Sequence, residues 1–133
     1  MKLEIQEREN EGILILDLRG RLVLGPEDST LRQRLQALVE RQNAIVNLKD
    51  VSDIDSTGLG TLVNSALRFR EAGGKLVLLN LNVSKGRLPD ILKLNTIFET
   101  YQEEVAAVNS FFPDRKVLHY DILNFVEEQE QNG

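Results

Sequence analysis

Three short apolar runs constrain what this chain can fold into: ILILDLRG at 13–20, AIVNLKD at 44–50 and KLVLLNLN at 75–82. The first and last are nearly continuous in aliphatic residues and short enough for strands, which suits strands covered on both faces. Between the runs the apolar residues change period. Leu31, Leu35, Leu38 and Val39 recur at helical spacing behind Gly25 and Pro26, and predict an amphipathic helix over 26–42. Leu59, Leu62, Val63, Ala66 and Phe69 predict a second helix, stopped by Gly73 and Gly74. Strand, helix, strand, helix, strand implies an α/β sheet with parallel neighbours and right-handed crossovers.

The N-terminal segment adds an antiparallel part. KLEIQERE at 2–9 alternates at Leu3 and Ile5, and ENEG at 9–12 is a turn signal before the apolar run from Ile13. The two strands read as a hairpin whose second member lies nearer the sheet centre. GRLVLGPED at 20–28 reads as chain leaving the sheet. Beyond 82, Pro89 opens a short helix carrying Ile91, Leu92 and Leu94, IFETY is an edge strand, and 102–110 a helix. The expectation is a mixed α/β sheet of four to five strands with helices packed against it. One domain spans 1–110. A helical extension over 111–133, with Ile122, Leu123, Phe125 and Val126, packs on it.

Composition removes several classes of function. The chain has 133 residues and no cysteine, so disulfides, thiolate zinc sites and thiol catalysis are excluded. Its formal charge is -5 and it has no basic stripe, which argues against a nucleic-acid partner. The first ten residues, MKLEIQEREN, lack the apolar core of a signal peptide. No segment approaches the roughly 20 apolar residues that span a bilayer. The expected location is the cytoplasm, without direct membrane insertion.

The stretch DIDSTGLGTL at 54–63 carries the chemistry. A nucleophile elbow needs glycine two residues before the serine, and Ile54 stands there. A serine nucleophile also needs a base, and the single histidine, His119, lies in the C-terminal segment. Walker A and dinucleotide loops need a lysine or a third glycine, and both are missing. Asp53 and Asp55 lack the further ligands of a metal site, so no metal, cofactor or enzymatic activity is expected. Asp55, Ser56 and Thr57 all qualify as helix N-caps. Gly58 and Gly60 are poor helix formers in a first turn and suggest a close approach to the backbone. A hydroxyl there also suits phosphorylation, since free N–H groups and the helix dipole favour a phosphate.

VSDIDSTGLGTLV resembles the signature of the STAS domain family of anti-sigma factor antagonists, Asp-Ser-(Ser/Thr)-Gly-(Leu/Ile)-Gly at a strand-to-helix junction. Asp55, Ser56, Thr57, Gly58, Leu59 and Gly60 match it throughout. ILILDLRGRL, AIVNLKDVSDID and GGKLVLLNLN resemble the family's strands on either side, so the resemblance covers about residues 3 to 110. It implies that these six residues bind a partner, an anti-sigma factor that is also a serine kinase of GHKL type. It implies too that phosphorylation of Ser56 releases that partner and that a serine phosphatase resets the switch. One position departs from the pattern: family antagonists often carry Asp where this chain has Val23. A second reading stays open, in which the domain is a permanent scaffold in a sensory complex or a lipid-transport ABC assembly and Ser56 only caps a helix.

Overall fold

The computed structural model describes residues 3–23, 25–81 and 97–113. Strands β1 (Glu4–Asn10) and β2 (Ile13–Leu22) form the expected hairpin, antiparallel from Glu4 opposite Arg19 to Asn10 opposite Ile13. Its loop is Glu11 and Gly12, at φ 53° and 81°, a left-handed pair whose twist matches the flanking strands. Next come helix α1 (Pro26–Leu38), strand β3 (Asn43–Ile54), helix α2 (Ser56–Glu71) and strand β4 (Lys75–Leu79). Strand β5 (Thr100–Tyr101) and helix α3 (Glu104–Asn109) complete the described elements. The sheet is mixed and runs β1-β2-β3-β4-β5, with every pair after the hairpin parallel.

The α/β reading holds, and segment 97–110 supplies the expected edge strand and helix. Several boundaries differ: the edge strand read over 97–101 is only Thr100–Tyr101, and the strand read over 75–82 ends at Leu79. The chain does not leave the sheet at Gly20 but stays paired to β3 as far as Leu22. The strand read over 44–50 extends to Ile54, because two register shifts let the polar residues of LKDVSD continue the ladder. The first helix ends at Leu38 and a 3-10 turn, Val39–Arg41, follows. The helix placed at Pro89, His119 and the extension from residue 114 lie outside the described residues.

The core follows the two periods. Leu16, Leu18, Leu22, Val46, Leu48, Leu76 and Leu78 face Leu31 and Leu35 of α1 and Leu62 and Phe69 of α2. The alternate residues Ile13, Ile15, Ile45, Val77 and Leu79 turn to the other face, under Ala107 and Val108 of α3. The end of α2 is a Schellman motif: the Gly73 N–H donates to the Arg70 carbonyl at 3.0 Å and the Gly74 N–H to that of Phe69 at 2.9 Å. A β-carbon on Gly74 would lie 1.5 Å from the Gln42 carbonyl oxygen, so the chain entering β4 tolerates only glycine there.

Helix α3 has only six residues and is tied down by charge. Arg8 on β1 bridges Asp17 on β2 and Glu104 on α3, and Asn10 donates to Glu104 at 2.7 Å. The row continues across the sheet: Asn47 donates to Asp17 at 2.8 Å and Asn80 to Asn47 at 3.0 Å. The Arg8 guanidinium holds the Glu104 carboxyl below the usual carboxylate range, while Glu104 and Asp17 raise Arg8. A carboxyl lowered in this way stabilises the fold above its unfolded pKa and loses that contribution as pH falls through the folded value. Glu104→Gln is expected to be less stable than wild type at about pH 7 and to lose less stability on acidification to about pH 3. Urea unfolding followed by far-UV circular dichroism at both pH values checks this.

Candidate functional site

Strand β3 reaches the motif through two bulges against β2. Its pairing shifts between Asp17 and Arg19 and again between Gly20 and Arg21, each time with one extra residue on β3. In the first, the Asn47 side-chain carbonyl accepts the Lys49 N–H at 3.1 Å. Near the second, the Ser52 hydroxyl donates to the Gly20 carbonyl at 3.3 Å. The bulges leave both Val51 and Ile54 in the core and bring Asp55 out, half-buried, at the sheet's end.

Three residues qualified as the helix cap, and the structure selects Asp55. Its Oδ1 accepts the Gly58 N–H at 2.9 Å, and its carbonyl accepts the Leu59 N–H at 2.9 Å. Its own N–H donates to the Leu22 carbonyl at 3.2 Å. Ser56 is therefore the first residue of α2 and is exposed, while Thr57 is half-buried. Val23, at the position where the family often has an acid, follows Leu22 directly and is half-buried. Asp53 pairs with Arg21 at 3.3 Å, and Asp50 is exposed. The described residues contain no cluster of three or more His, Cys, Asp or Glu suited to a metal ion.

The glycine pair divides. A β-carbon on Gly58 would stand 2.3 Å from the Leu22 carbonyl oxygen and 2.8 Å from its Cγ. The expected close approach therefore comes from the chain's own β2. Gly60 is different, because a β-carbon there meets nothing within 4 Å. It borders a groove of about 360 Å³ between α1 and α2, lined also by Arg32, Thr57, Thr61, Ser65 and Arg68. The sequence reading missed this groove. Its signal was present in Thr57, Thr61, Ser65 and Arg68, a polar stripe at helical spacing beside the apolar one.

The two glycines should respond oppositely to alanine. Gly58→Ala is expected to destabilise the fold by about 1–3 kcal/mol through overpacking against Leu22. Gly60→Ala, with open space and a better helix former, is expected to stabilise by up to about 1 kcal/mol. Denaturant melts of the two variants measure both effects, and equal destabilisation would contradict the geometry.

Comparison with known proteins agrees with this architecture. The family model of the STAS domain matches residues 4–107. The anti-sigma F factor antagonist of Paenibacillus polymyxa is 30% identical over 110 residues, covering 81% of this chain and 94% of its own. The anti-sigma-B factor antagonist of Bacillus subtilis (strain 168) is 33% identical over 100 residues, covering 74% of this chain and 91% of its own. The fold is also that of the Bacillus cell fate determinant SpoIIAA in its phosphorylated form, with a TM-score of 0.62 and 16% identity. That match covers 80% of this chain and 98% of the other. With its motif at the β3–α2 junction and its mixed five-stranded sheet, this chain belongs to the STAS domain family, the family of the anti-sigma factor antagonists.

Proposed function

We propose that this protein is an anti-sigma factor antagonist that works by partner switching. Unmodified, it binds an anti-sigma factor that is also a GHKL-type serine kinase, through Asp55, Ser56, Thr57, Gly58, Leu59 and Gly60. The kinase transfers the γ-phosphoryl group of ATP to the Ser56 hydroxyl, ADP and a proton leave, and the complex parts. A serine phosphatase restores the binding form. The protein is a ligand and substrate in this cycle and catalyses no step. The cytoplasm is its proposed location, and no helix among the described residues is long and apolar enough to cross a membrane.

The observation that carries the reading is the division of labour at the start of α2. Asp55 makes the capping bond, so the exposed Ser56 hydroxyl is not needed to hold the helix. A phosphate on Ser56 would lie beside first-turn N–H groups and the positive end of the helix dipole, where negative charge is locally stabilised. It adds roughly -1.5 to -2 charge. Asp50, Asp53 and Asp55 already make this end of the sheet acidic, so modification sharply raises the repulsion felt by an acidic partner surface. The names of the two relatives, and the phosphorylated form of the third protein, support the same cycle.

Val23 favours a second reading. Valine stands one residue after Leu22 where family antagonists often carry Asp, which suits a domain that docks permanently and is not phosphorylated. The two readings part on one experiment. The protein is incubated with ATP and each GHKL-type anti-sigma kinase encoded in its own genome, followed by intact-mass measurement and site mapping. Partner switching expects one added phosphate, on Ser56, and none on Ser56→Ala. It also expects Ser56→Asp to bind the kinase at least about 10-fold more weakly than Ser56→Ala, a difference of about 1.4 kcal/mol. Stable binding without phosphate transfer, and equal affinities for the two variants, would support the scaffold.

A further inference from the structure

We propose that α3 is a strap that lifts off the sheet as a unit while the rest of the fold stays closed, uncovering the apolar face formed by Ile13, Ile15, Ile45, Val77 and Leu79. This motion needs no partner and stands apart from partner switching.

Length is the first reason. The six residues of α3 make fewer than two turns, and a helix this short is not stable on its own in water. It persists only by docking, and its apolar docking is small. Ala107 and Val108 are its buried residues, while Val105 is 68% exposed. On the other face, α2 alone buries six residues over the larger core cluster.

Polar latches hold α3 at both ends, and they come from different strands. At its start, Glu104 accepts hydrogen bonds from Arg8 at 2.9 Å and Asn10 at 2.7 Å, both on β1. At its end, the Lys75 ammonium on β4 donates to the Ser110 carbonyl at 2.9 Å and stands 4.8 Å from the centre of the Phe111 ring. Both latches can part without stranding a charge. Arg8 keeps Asp17, Lys75 keeps Glu99 at 2.9 Å, and Glu104 passes into water. Half-exposed ion pairs add little net stability, because water competes for both charges. The hinge side stays tethered: Gln102 and Glu103 join α3 to β5, and Gln102 donates to the Leu81 carbonyl at 3.3 Å. Few buried contacts and polar attachments mark a segment that opens at a lower free energy than the whole fold.

Backbone amide exchange of the full chain, followed by NMR in water and in urea below the unfolding transition, tests this. The probes on α3 are the amides of Ala107, Ser110 and Phe111, which donate to the carbonyls of Glu103, Ala106 and Val108. Corrected for intrinsic rates, they are expected to exchange at least about 100-fold faster than the α2 amides of Leu62 and Phe69. Their urea dependence is expected to be present but shallower, because less surface is exposed. Leu35→Ala removes a core contact that the open state keeps. It is expected to speed the α2 amides at least about 30-fold and to leave the α3 amides within about 3-fold of wild type. Leu35→Val serves the same comparison if the alanine variant does not fold. Glu104→Gln and Lys75→Gln each loosen one latch and are expected to speed the α3 amides about 3-fold. Equal rates and urea slopes in α3 and α2 overturn the strap, because α3 then opens only with the core. Exchange of α3 without urea dependence also overturns it, since fraying uncovers no face. So does a Leu35→Ala effect of one size on both helices, or unchanged α3 rates in both latch variants.

Discussion

The carbonyl oxygen of Leu22 accepts the backbone N–H of Asp55 and occupies the place that a β-carbon on Gly58 would need. This contact joins the last residue of β2 to the first turn of α2, and the geometry of the motif depends on it. It brings the helix start against the sheet, which only glycine at 58 permits. It sets the Asp55 backbone so that its side chain can reach back to the Gly58 N–H. With that cap in place the next residue, Ser56, is presented at the surface without a structural task. The motif is thus a clamp whose by-product is an accessible hydroxyl. Its acid and first glycine serve the fold, and its serine is left at the surface.

Much of the fold was legible in the sequence because its elements have strong, distinct periods. The hairpin was marked by ENEG, the helices by their apolar stripes and the helix end by Gly73 and Gly74. What escaped was set by contacts distant in sequence. LKDVSDI looks too polar for a strand, yet it continues β3, because two bulges let Lys49 and Ser52 fall outside the regular pairing. The motif's position and its cap chemistry were readable from residue type. Which of three candidate residues caps was not, since that depends on where Leu22 lies. The glycines looked equivalent, and only tertiary structure separates one pressed against β2 from one facing an open groove. The groove was hidden for a related reason, because Arg32 and Arg68 are 36 positions apart in sequence and belong to different helices.

The two faces of the sheet reach stability by different means. On the α1 and α2 side, aliphatic side chains from both helices fill the interface, and burial supplies the driving force. On the other side, the described helix is short and its apolar cluster small. There a row of polar groups from Arg8 to Asn80 takes over, each satisfied by the next. None of the buried side-chain polar atoms among the described residues lacks a partner. A fully connected network of this kind specifies one geometry, because displacing any member strands its neighbours. The motif sits at the end of this sheet, so its backbone is held by rigid structure on both sides.

Strand order carries a consequence for how such a chain comes into being. In many doubly wound sheets the centre is occupied by the first strand and later ones are laid down to either side. Here spatial order is chain order, from β1 to β5. Every described strand therefore docks on one that has already been synthesised, and among the described strands no early one holds an edge open for a distant one. A ribosome releasing this chain from its N-terminus exposes, at each moment, a single growing edge. The hairpin can form first, and the crossovers through α1 and α2 then each add one helix and one strand to it. Growth in one direction shortens the time for which the advancing edge is available to neighbouring chains, while the outer edge of β1 stays as it was.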